Sequence, residues 1–419
     1  MHALMRELFP ICRSITGDGV NQSLQIIKRE IPLMIHSVPT KTKVFDWEVP
    51  KEWNVKEAYI KNSKGKKVVD FADNNLHLMS YSVPVDQSMT LSALKEHLHT
   101  LPEHPTWIPY RTSYYKEDWG FCMKHSQFER LPEDVYDVFI DSTLKDGNLL
   151  YGECYIPGEL PEEVLISTRI CHPSMCNDNL SGICVSVFVA KEMLRRKPRH
   201  SYRFIFIPGT IGAITWLSIN ETKVRRIKHG LVVGLLGDGG KFTYKRSRRH
   251  AEIDRIVESV LKSREAPHRI LNFSPYGDDE RQFCSPGFDL PVGCLMRTPF
   301  GEYPEYHSSA DNLDFVSAEA LEESMQLLIH IVQVIEANRK YVNLHPKCEV
   351  QLGKRGLYNS VGGDKSGRDF ELALLWVLNF SDGNHSLLDI SRESGIAFET
   401  IANAAKRLAE SRLLAEHVD

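Results

Sequence analysis

The sequence of 419 residues contains no long uninterrupted apolar segment. Every apolar run falls short of the roughly 18–20 residues that a helix needs to cross a bilayer, so we expect neither a membrane span nor a membrane partner. The first residues, MHALMRELFPICRS, lack the basic start, the apolar stretch and the small-residue cleavage site of a signal peptide. Together these absences predict a cytoplasmic protein.

Cysteine is scarce, and its pattern suggests no pairing. The nine cysteines are odd in number and lie mostly in apolar segments. Only Cys171 and Cys176 are close together, and their Cys-x4-Cys spacing differs from the Cys-x2-Cys of redox motifs. A disulfide framework, a redox pair and a zinc site made of cysteines are therefore not expected, and most cysteines are interpreted as small buried apolar residues.

An excess of positive charge is also missing. The chain has 51 Lys and Arg against 55 Asp and Glu, a net charge of −4, so its composition gives no reason to expect nucleic-acid binding. With 42% hydrophobic and 25% charged residues it has the composition of a globular protein, and it is long enough for two or three domains.

Three patterns follow one another along the first 350 residues. Residues 1–35 carry apolar side chains at helical spacing, interrupted at 16–19, and predict helix. Residues 41–156 contain short β-type segments separated by Pro, Gly and Asn or Asp, which predict a small, mostly β domain. Residues 157–350 alternate strand-like and helix-like segments, which predicts parallel strand pairing.

The predicted fold class is therefore α/β, with a mainly parallel sheet flanked by helices. This domain is expected to comprise residues 1–40 and 157–350, with the β domain inserted at 41–156. Residues 366–419 form three short helical segments in helix-turn-helix order and predict a winged-helix-like module. The module has five Lys or Arg against nine Asp or Glu, whereas DNA binding needs cations to meet phosphates. We therefore expect packing or homo-oligomer formation rather than nucleic-acid binding.

Candidate metal ligands stand where predicted strands end. Parallel sheets collect ligands at the loops that leave the carboxyl ends of their strands. Such loops contain His172 and Asp178 (in ICHPSMCNDNLSG), Asp238, the acidic run Asp278–Glu280, and His307 with Asp311. Histidine nitrogen and carboxylate oxygen are zinc ligands, and a catalytic zinc site keeps one position open for water. These loops therefore predict a metal site.

Each candidate has a structural alternative. The ring of His172 could bond a backbone carbonyl, Asp178 could cap the helix that follows it, and His307 could belong to a packed aromatic pair. Asp238 could only shape its turn, and the run at 278–280 could be a solvated cluster of charges.

Two segments resemble the motifs of zinc aminopeptidases. The stretch Asn177–Gly182 (NDNLSG) is similar to their Asp-Asn-x-Ser-Gly turn, and Tyr306–Asp311 (YHSSAD) is similar to their Tyr-His-Thr-x-x-Asp segment. This resemblance implies that Asp178 and His307 ligate zinc. It also implies a ligand role for Asp238, which follows a strand as an aspartate ligand of that family does.

More narrowly, nearly the full length resembles an aminopeptidase-like family often found near polysaccharide-biosynthesis genes. The shared sequence motifs are Arg13–Gly17 (RSITG), Cys171–Ser174 (CHPS), Pro208–Gly212 (PGTIG) and the segment around His307. This resemblance implies a zinc-exopeptidase fold with an inserted β domain and a C-terminal winged helix.

The chain departs from the zinc aminopeptidases at two strand ends. Their His-x-Asp is replaced by TRIC at 168–171, so Arg169 stands near the usual histidine and His172 has to serve instead. Their Glu-Glu pair, a general base followed by a ligand, is replaced by Gly209 and Thr210. A general base contributes about 10²–10⁴ in rate, and the loss of a carboxylate ligand argues against a second metal ion.

The remaining residues predict a centre with one zinc ion. The resemblance and the strand-end positions favour His172, Asp178 and His307 as ligands, with Asp238 or Glu280 as a fourth. In the catalytic role, Asp279 or Glu280 is the candidate to replace the missing base.

Four further residues are candidates for holding the ligands in place or for binding substrate. Asp311 could cap the helix that follows it or orient His307. Arg169 and Arg297 could bind an anionic substrate group or pair with a nearby acid, and Tyr306 flanks the candidate histidine ligand.

These features support three hypotheses of function. The first is a metal-dependent hydrolase of an amide or peptide-like bond, acting on a peptide-like compound, an amino-sugar or another modified small molecule. The aromatic-rich stretch 107–121 could overhang such a site. The second is a binding or assembly protein that kept the fold without the catalytic base. The third is a ligand-sensing regulator whose winged helix binds DNA.

Overall fold

The structure is a computed structural model that describes residues 1–357 and 365–417. Contacts between residues divide the chain into two compact units. The first unit comprises residues 1–258 and 266–328, and the second comprises residues 259–265 and the chain from 329 onward.

The strands and helices are numbered in chain order. The strands are β1 (Met34–Pro39), β2 (Lys43–Val44), β3 (Trp47–Glu48), β4 (Glu52–Asn62), β5 (Lys67–Asp70), β6 (Val85–Thr90), β7 (Leu98–His99), β8 (Phe121–Cys122), β9 (Val135–Lys145), β10 (Asn148–Ile156), β11 (Glu163–Arg169), β12 (Ser201–Ile207), β13 (Ile227–Val233), β14 (Phe242–Lys245), β15 (His268–Leu271), β16 (Val292–Met296), β17 (Lys340–Asn343), β18 (Asp382–Ser386) and β19 (Leu414–His417). The α-helices are α1 (His2–Leu8), α2 (Asp18–Glu30), α3 (Leu91–Lys95), α4 (His125–Phe128), α5 (Gly182–Leu194), α6 (Ile211–Ile219), α7 (Glu252–Ser263), α8 (Glu280–Phe283), α9 (Ala318–Ala337), α10 (Lys365–Phe380), α11 (Leu387–Ser394) and α12 (Phe398–Glu410).

An eight-stranded sheet forms the centre of the first unit, in the order β1-β10-β12-β11-β13-β16-β14-β15. Its middle strands β12, β11, β13 and β16 are parallel, and the antiparallel pairs lie toward the two edges. Strands β11 and β12 are almost entirely buried, in keeping with the continuous apolar runs of central parallel strands. The predicted α/β class with a mainly parallel central sheet is confirmed.

The register of the two middle strands places their following loops side by side. Arg169, the last residue of β11, lies opposite Ile207, the last residue of β12. The loop that begins at Ile170 and the loop that contains Gly209 therefore leave the same edge of the sheet. Helix α5 follows the first of these loops and packs against β10, β11 and β12, with α1 and α2 beside it.

A second, antiparallel sheet in the order β5-β4-β9-β6 lies within the segment predicted as the inserted β domain. Buried and more exposed residues alternate along β9, as expected for a sheet with one covered face. Strand β10, which the sequence pattern groups with this segment, pairs with β1 and β12 in the central sheet. An isolated bridge joins Pro109 of the segment to Ser308.

Several local expectations differ from the structure. Residues 1–35 form two helices and the start of β1 rather than one interrupted helix, because β1 pairs with β10 far along the chain. The helix-like stretch at 90–101 contains only the short α3, followed by β7. These segments take part in long-range strand pairing, which local spacing does not report.

The second unit contains helices α10, α11 and α12, which contact one another, and a three-stranded antiparallel sheet in the order β18-β17-β19. Ser386 and Asp389 form a capping box at the start of α11, which satisfies backbone donors of its first turn. The predicted helix-turn-helix order is present, together with strands that make the wing. Within residues 1–357 and 365–417, no helix is both long and apolar enough to cross a membrane.

Candidate metal centre

The three predicted ligands His172, Asp178 and His307 lie together at the carboxyl edge of the central sheet. One ligand atom from each lies within 4.8 Å of the others. The Nε2 atom of His307 lies 3.1 Å from Oδ2 of Asp178, and Nδ1 of His172 lies 3.9 Å from Oδ1 of the same carboxylate. The centre therefore joins two loops that are more than a hundred residues apart in sequence.

The loop after β11 presents the first two ligands. Arg13 is buried beside this loop, and its Nε donates to the carbonyl of His172 at 3.0 Å. Residues Cys176–Ser181 form an irregular turn before α5, with non-helical backbone angles at Asp178 and Asn179. The carboxylate of Asp178 faces His307 and Arg169, and the residue before α5, Ser181, makes no side-chain cap.

Asp311 holds the backbone of that loop. Its carboxylate accepts hydrogen bonds from the backbone N–H groups of Cys176, Asn177 and Asp178, at 3.1, 2.5 and 2.9 Å. Burial raises the pKa of Asp311 to about 7, although these donors lower it. Asp311 thus fixes the position of a ligand through the main chain. Neither alternative that the sequence left open, capping α9 or orienting the ring of His307, describes these contacts.

The inserted segment presses against both histidines. The ring of Tyr110 contacts the rings of His172 and His307 edge-on, with centroids 5.3 and 5.2 Å away. Its backbone N–H donates to the carbonyl of His307 at 2.8 Å. Tyr306 stacks on His307 from another side at 3.9 Å. The sequence pattern indicated that residues 107–121 could overhang the site, but nothing in it singled out Tyr110.

The ionisation of the ligands suits a metal. Burial is the main cause that lowers the pKa of His172, to about 3, which leaves the neutral ring that binds metals. Burial opposes the ionisation of Asp178, but the neighbouring His172 and Arg169 outweigh it and lower the pKa of this carboxyl. Two imidazole nitrogens and one carboxylate are a donor set of catalytic zinc sites, so the residues fit the ion.

Exposure differs among the three ligands. The side chain of Asp178 is fully buried, that of His172 is 8% exposed and that of His307 is 35% exposed. The centre therefore opens to solvent on the side of His307.

Asp238 lies next to the ligand loop, where its carboxylate is occupied by hydrogen bonds. It accepts from the side-chain amide of Asn177 at 2.9 Å, from Thr298 Oγ1 at 2.7 Å and from the backbone N–H of Gly240 at 2.6 Å. It is not in the converging group of His172, Asp178 and His307. Its contacts are those of a residue that ties neighbouring loops together.

Arg297 extends the same support. Its guanidinium donates to the carbonyl of Gly240 at 2.8 Å, to Ser324 Oγ at 3.1 Å and to Glu323 at 2.7 Å. It therefore anchors the loop of Asp238 to α9 and pairs with a local acid, one of the two roles that the sequence left open.

Arg169 is wedged between two carboxylates. One terminal nitrogen of its guanidinium lies 3.3 Å from Oδ1 of Asp178, and its Nε lies 3.0 Å from Oδ1 of Asp278. Its side chain is only 12% exposed, and Phe300 covers the guanidinium at 5.1 Å. The sequence pattern gave no indication that Asp278 is its partner.

The acidic run Asp278–Glu280 is buried rather than solvated. Glu280 forms an ion pair with Lys245, whose Nζ also donates to the carbonyl of Tyr276 at 2.5 Å. Both carboxylate oxygens of Asp279 are buried and lack a hydrogen-bond partner in the described part of the chain. Burial, with Asp278 nearby, raises the pKa of Asp279 well above its usual range.

The Gly209–Thr210 pair lies directly against Arg169. A Cβ atom on Gly209 would meet Cδ of Arg169 at 2.3 Å and an oxygen of Asp279 at 3.4 Å. The backbone at Gly209 is thus lined by the side chains of Arg169 and of the buried Asp279.

The fold of the first unit is that of the zinc aminopeptidases. A zinc aminopeptidase from Bacillus subtilis superposes with a TM-score of 0.59 at 11% identity, over 80% of this chain and 93% of that one. A peptidase M28 precursor from Shewanella amazonensis gives a TM-score of 0.56 at 12% identity, over 80% and 92%. At these identities the likeness shows the fold alone.

The family follows from nearer relatives. A crystal structure from Clostridium acetobutylicum, named as a candidate peptidase, matches with a TM-score of 0.94 at 53% identity, over 99% of this chain and 95% of that one. A curated relative from the same organism is 54% identical over 415 residues, which are 99% of this chain and 95% of the relative. It is named as a candidate polysaccharide biosynthesis protein with an aminopeptidase-like domain.

Family models cover almost the whole chain. The model described as a domain of unknown function (DUF4910) matches residues 2–338, and a winged helix-turn-helix model matches residues 339–416. The chain therefore belongs to the DUF4910 family and carries a C-terminal winged helix. The predicted membership in an aminopeptidase-like family with this module is confirmed.

Proposed function

We propose that the protein is a metal-dependent hydrolase of an amide or peptide-like bond, with one zinc ion held by His172, Asp178 and His307. The convergence of these three side chains within 4.8 Å is the observation that carries the proposal. When bound, zinc would polarise a carbonyl group and make water a better nucleophile at neutral pH.

The residues around the ion would divide the remaining work. Because His307 is the most exposed ligand, the substrate would approach from its side, where Tyr306 offers an aromatic surface. Tyr110 would exclude water from the inner side of the two histidines. Asp311 would hold Asp178 through the main chain.

Asp279 is the better candidate for the proton acceptor. Glu280 is neutralised by its ion pair with Lys245, whereas the carboxylate of Asp279 is unpaired in the described part of the chain. Burial raises the pKa of both carboxyl groups, a shift that suits proton exchange, so the missing ion pair is what distinguishes Asp279.

The substrate class follows from the name of a relative. A protein 54% identical to this chain is named for polysaccharide biosynthesis. An amide on an amino-sugar, or on a similar modified small molecule, is therefore the substrate to screen first, with peptides as the comparison.

Metal content tests the centre directly. Protein purified without chelator is expected to contain about one zinc ion per chain, and His172→Ala and His307→Ala are each expected to lose it because each removes one of three ligands. His77→Ala is the matched control, since His77 is as buried as His172 at 8% and bonds the carbonyl of Cys122. Zinc retained by both ligand variants would overturn the assignment.

Activity tests the proton acceptor. Asp279→Asn is expected to lower amide hydrolysis by about 10²–10⁴-fold and to leave the zinc content unchanged, because Asp279 is not among the ligands. Full activity in this variant would exclude the role.

A second function, binding without turnover, is favoured by one observation. Gly209 and Thr210 supply no carboxylate where the zinc aminopeptidases carry their base and ligand. A sample that contains zinc, binds amino-sugar amides and hydrolyses none of them would support this alternative.

A further inference from the structure

We infer that the guanidinium of Arg169 occupies the place of a second metal ion, so that this centre is built around one metal and one fixed organic cation. The inference rests on the proposed metal site and adds to it the residue that sets the number of ions. It starts from the two carboxylates that Arg169 joins.

The two carboxylate oxygens of Asp178 face two different groups. Its Oδ2 faces His307 at 3.1 Å, while its Oδ1 lies 3.3 Å from a terminal nitrogen of Arg169. A carboxylate that bridges two cations has this arrangement. Here the cation on one side is part of the chain.

Asp278 is the second carboxylate that faces Arg169. Its Oδ1 lies 3.0 Å from Nε of Arg169, so oxygens from two buried carboxylates face one guanidinium. The other oxygen, Oδ2 of Asp278, is buried and has no hydrogen-bond partner in the described part of the chain. Two or more carboxylate oxygens around one cation are also what a divalent metal ion requires.

Gly209 makes room for this arrangement. A Cβ atom there would lie 2.3 Å from Cδ and 2.9 Å from Cγ of Arg169, so any larger residue would force the arginine away. A side chain at 209 and the observed position of Arg169 thus exclude each other. With glycine at 209 the guanidinium places a positive charge beside Asp178 and Asp278.

An arginine differs from a metal ion in two respects that matter here. It cannot leave the site, and it stays protonated at any physiological pH. It would balance the charge of Asp178 and Asp278 without offering an open coordination position. Only the position at His172 and His307 would then accept an exchangeable ion.

The number of bound ions tests this inference without any activity assay. Zinc is measured by elemental analysis, and added manganese is titrated by the electron paramagnetic resonance signal of the free ion. The wild-type protein is expected to saturate at about one divalent ion per chain. Arg169→Ala is expected to take up a second, more weakly held manganese ion, because manganese suits carboxylate ligands.

Two variants serve as controls. Arg169→Lys keeps the positive charge and is expected to stay at one ion per chain. Arg203→Ala removes another buried arginine, which pairs with Glu153 and Glu163 on neighbouring strands, and is also expected to stay at one.

Each outcome decides between the possibilities. Two ions per chain in the wild-type protein, or one in a folded Arg169→Ala variant, would overturn the role of Arg169 and leave the hydrolase proposal standing. No bound metal in the wild-type protein would overturn both. Arg169→Ala that folds only with manganese present would support the inference, because metal then replaces the guanidinium. Failure to fold even with manganese would count against it.

Discussion

At the scale of single residues, the centre depends on how buried charges are matched. Asp178, Asp278 and Glu280 are buried carboxylates, and each lies against a buried cation, Arg169 or Lys245. Burial of an unpaired charge costs several kcal/mol, so the loss of either partner of such a pair is expected to destabilise the site. Asp279 has no such partner in the described part of the chain. Burial raises its pKa well above the usual range, and it also raises the pKa of Asp278 and Glu280 despite their cations.

The contact between Gly209 and Arg169 gives a prediction at this scale. Gly209→Ala is expected to destabilise the wild-type protein by about 1–3 kcal/mol, as an overpacked core does, because its Cβ would overlap Cδ of Arg169. In an Arg169→Ala background the same change should cost much less. Thermal or urea unfolding of the four proteins of this double-mutant cycle measures the coupling. Equal costs in the two backgrounds would contradict the packing described here.

At the scale of elements, the ligand loops are positioned by contacts that cross the sequence. The turn at Cys176–Ser181 is held by Asp311 from one loop and, through Asn177, by Asp238 from another. The loop of His307 is paired with residues of the inserted segment, through the bridge between Pro109 and Ser308. The centre is therefore a meeting of four loops rather than the product of one motif.

The winged helix gives the prediction that belongs to this scale. The exposed side chains of α12 are Glu399, Asn403, Lys406, Arg407 and Glu410, so carboxylates offset its cations. Because phosphate contacts need an excess of cations, the protein is expected to elute from heparin at low salt. A steep salt dependence corresponding to several released counterions would contradict this expectation.

A charge-reversed variant makes the heparin result interpretable. Glu399→Lys with Glu410→Lys leaves the exposed face of α12 with cations and one amide, and it should elute at clearly higher salt. If the variant elutes at the same salt concentration as the wild-type protein, α12 does not contact the heparin. Charge-reversed variants of the wing strands would then be measured in the same way.

At this scale the sequence predicted some elements better than others. The buried runs of β11 and β12 and the helix α5 are long and continuous, so their identity is local information. The assignment of β10 to the central sheet is not local. It depends on pairing with β1 and β12, which are distant in sequence and become neighbours of β10 only when the chain folds.

At the scale of the whole molecule, buried histidines make the protein sensitive to acid, both in the centre (His172) and outside it. His229 on β13 is buried, and its pKa is lowered to about 3, first by burial and then by His200 and Lys228. The partly exposed carboxylate of Glu252 lies 3.8 Å from Nε2 of His229. In the unfolded chain His229 binds a proton near pH 6.5, whereas in the folded protein it becomes protonated only at about pH 3.

His229 lowers the free energy of unfolding as the pH falls. Above about pH 6.5 neither state binds the proton and the free energy of unfolding is unaffected. As the pH falls from there toward 3, only the unfolded state is protonated, so His229 removes up to about 1.4 kcal/mol of stability per pH unit. His229→Gln is expected to lessen this loss in urea unfolding between pH 7 and 5. His268→Gln, at a partly exposed histidine on β15, is the control and should leave it unchanged.

The sequence by itself determined the class of the fold, and it predicted the three side chains that the fold brings together, His172, Asp178 and His307. The alternation of strands and helices is a local pattern, and the motifs around Asp178 and His307 resemble those of the zinc aminopeptidases, whose fold is known. Only the tertiary structure decided which charges face one another. It placed Asp278 on Arg169, Lys245 on Glu280 and Asp311 on the backbone of the ligand loop. These pairings join residues from different strands, helices and loops. Electrostatic energy depends on their distance and burial, neither of which can be read from spacing along the chain.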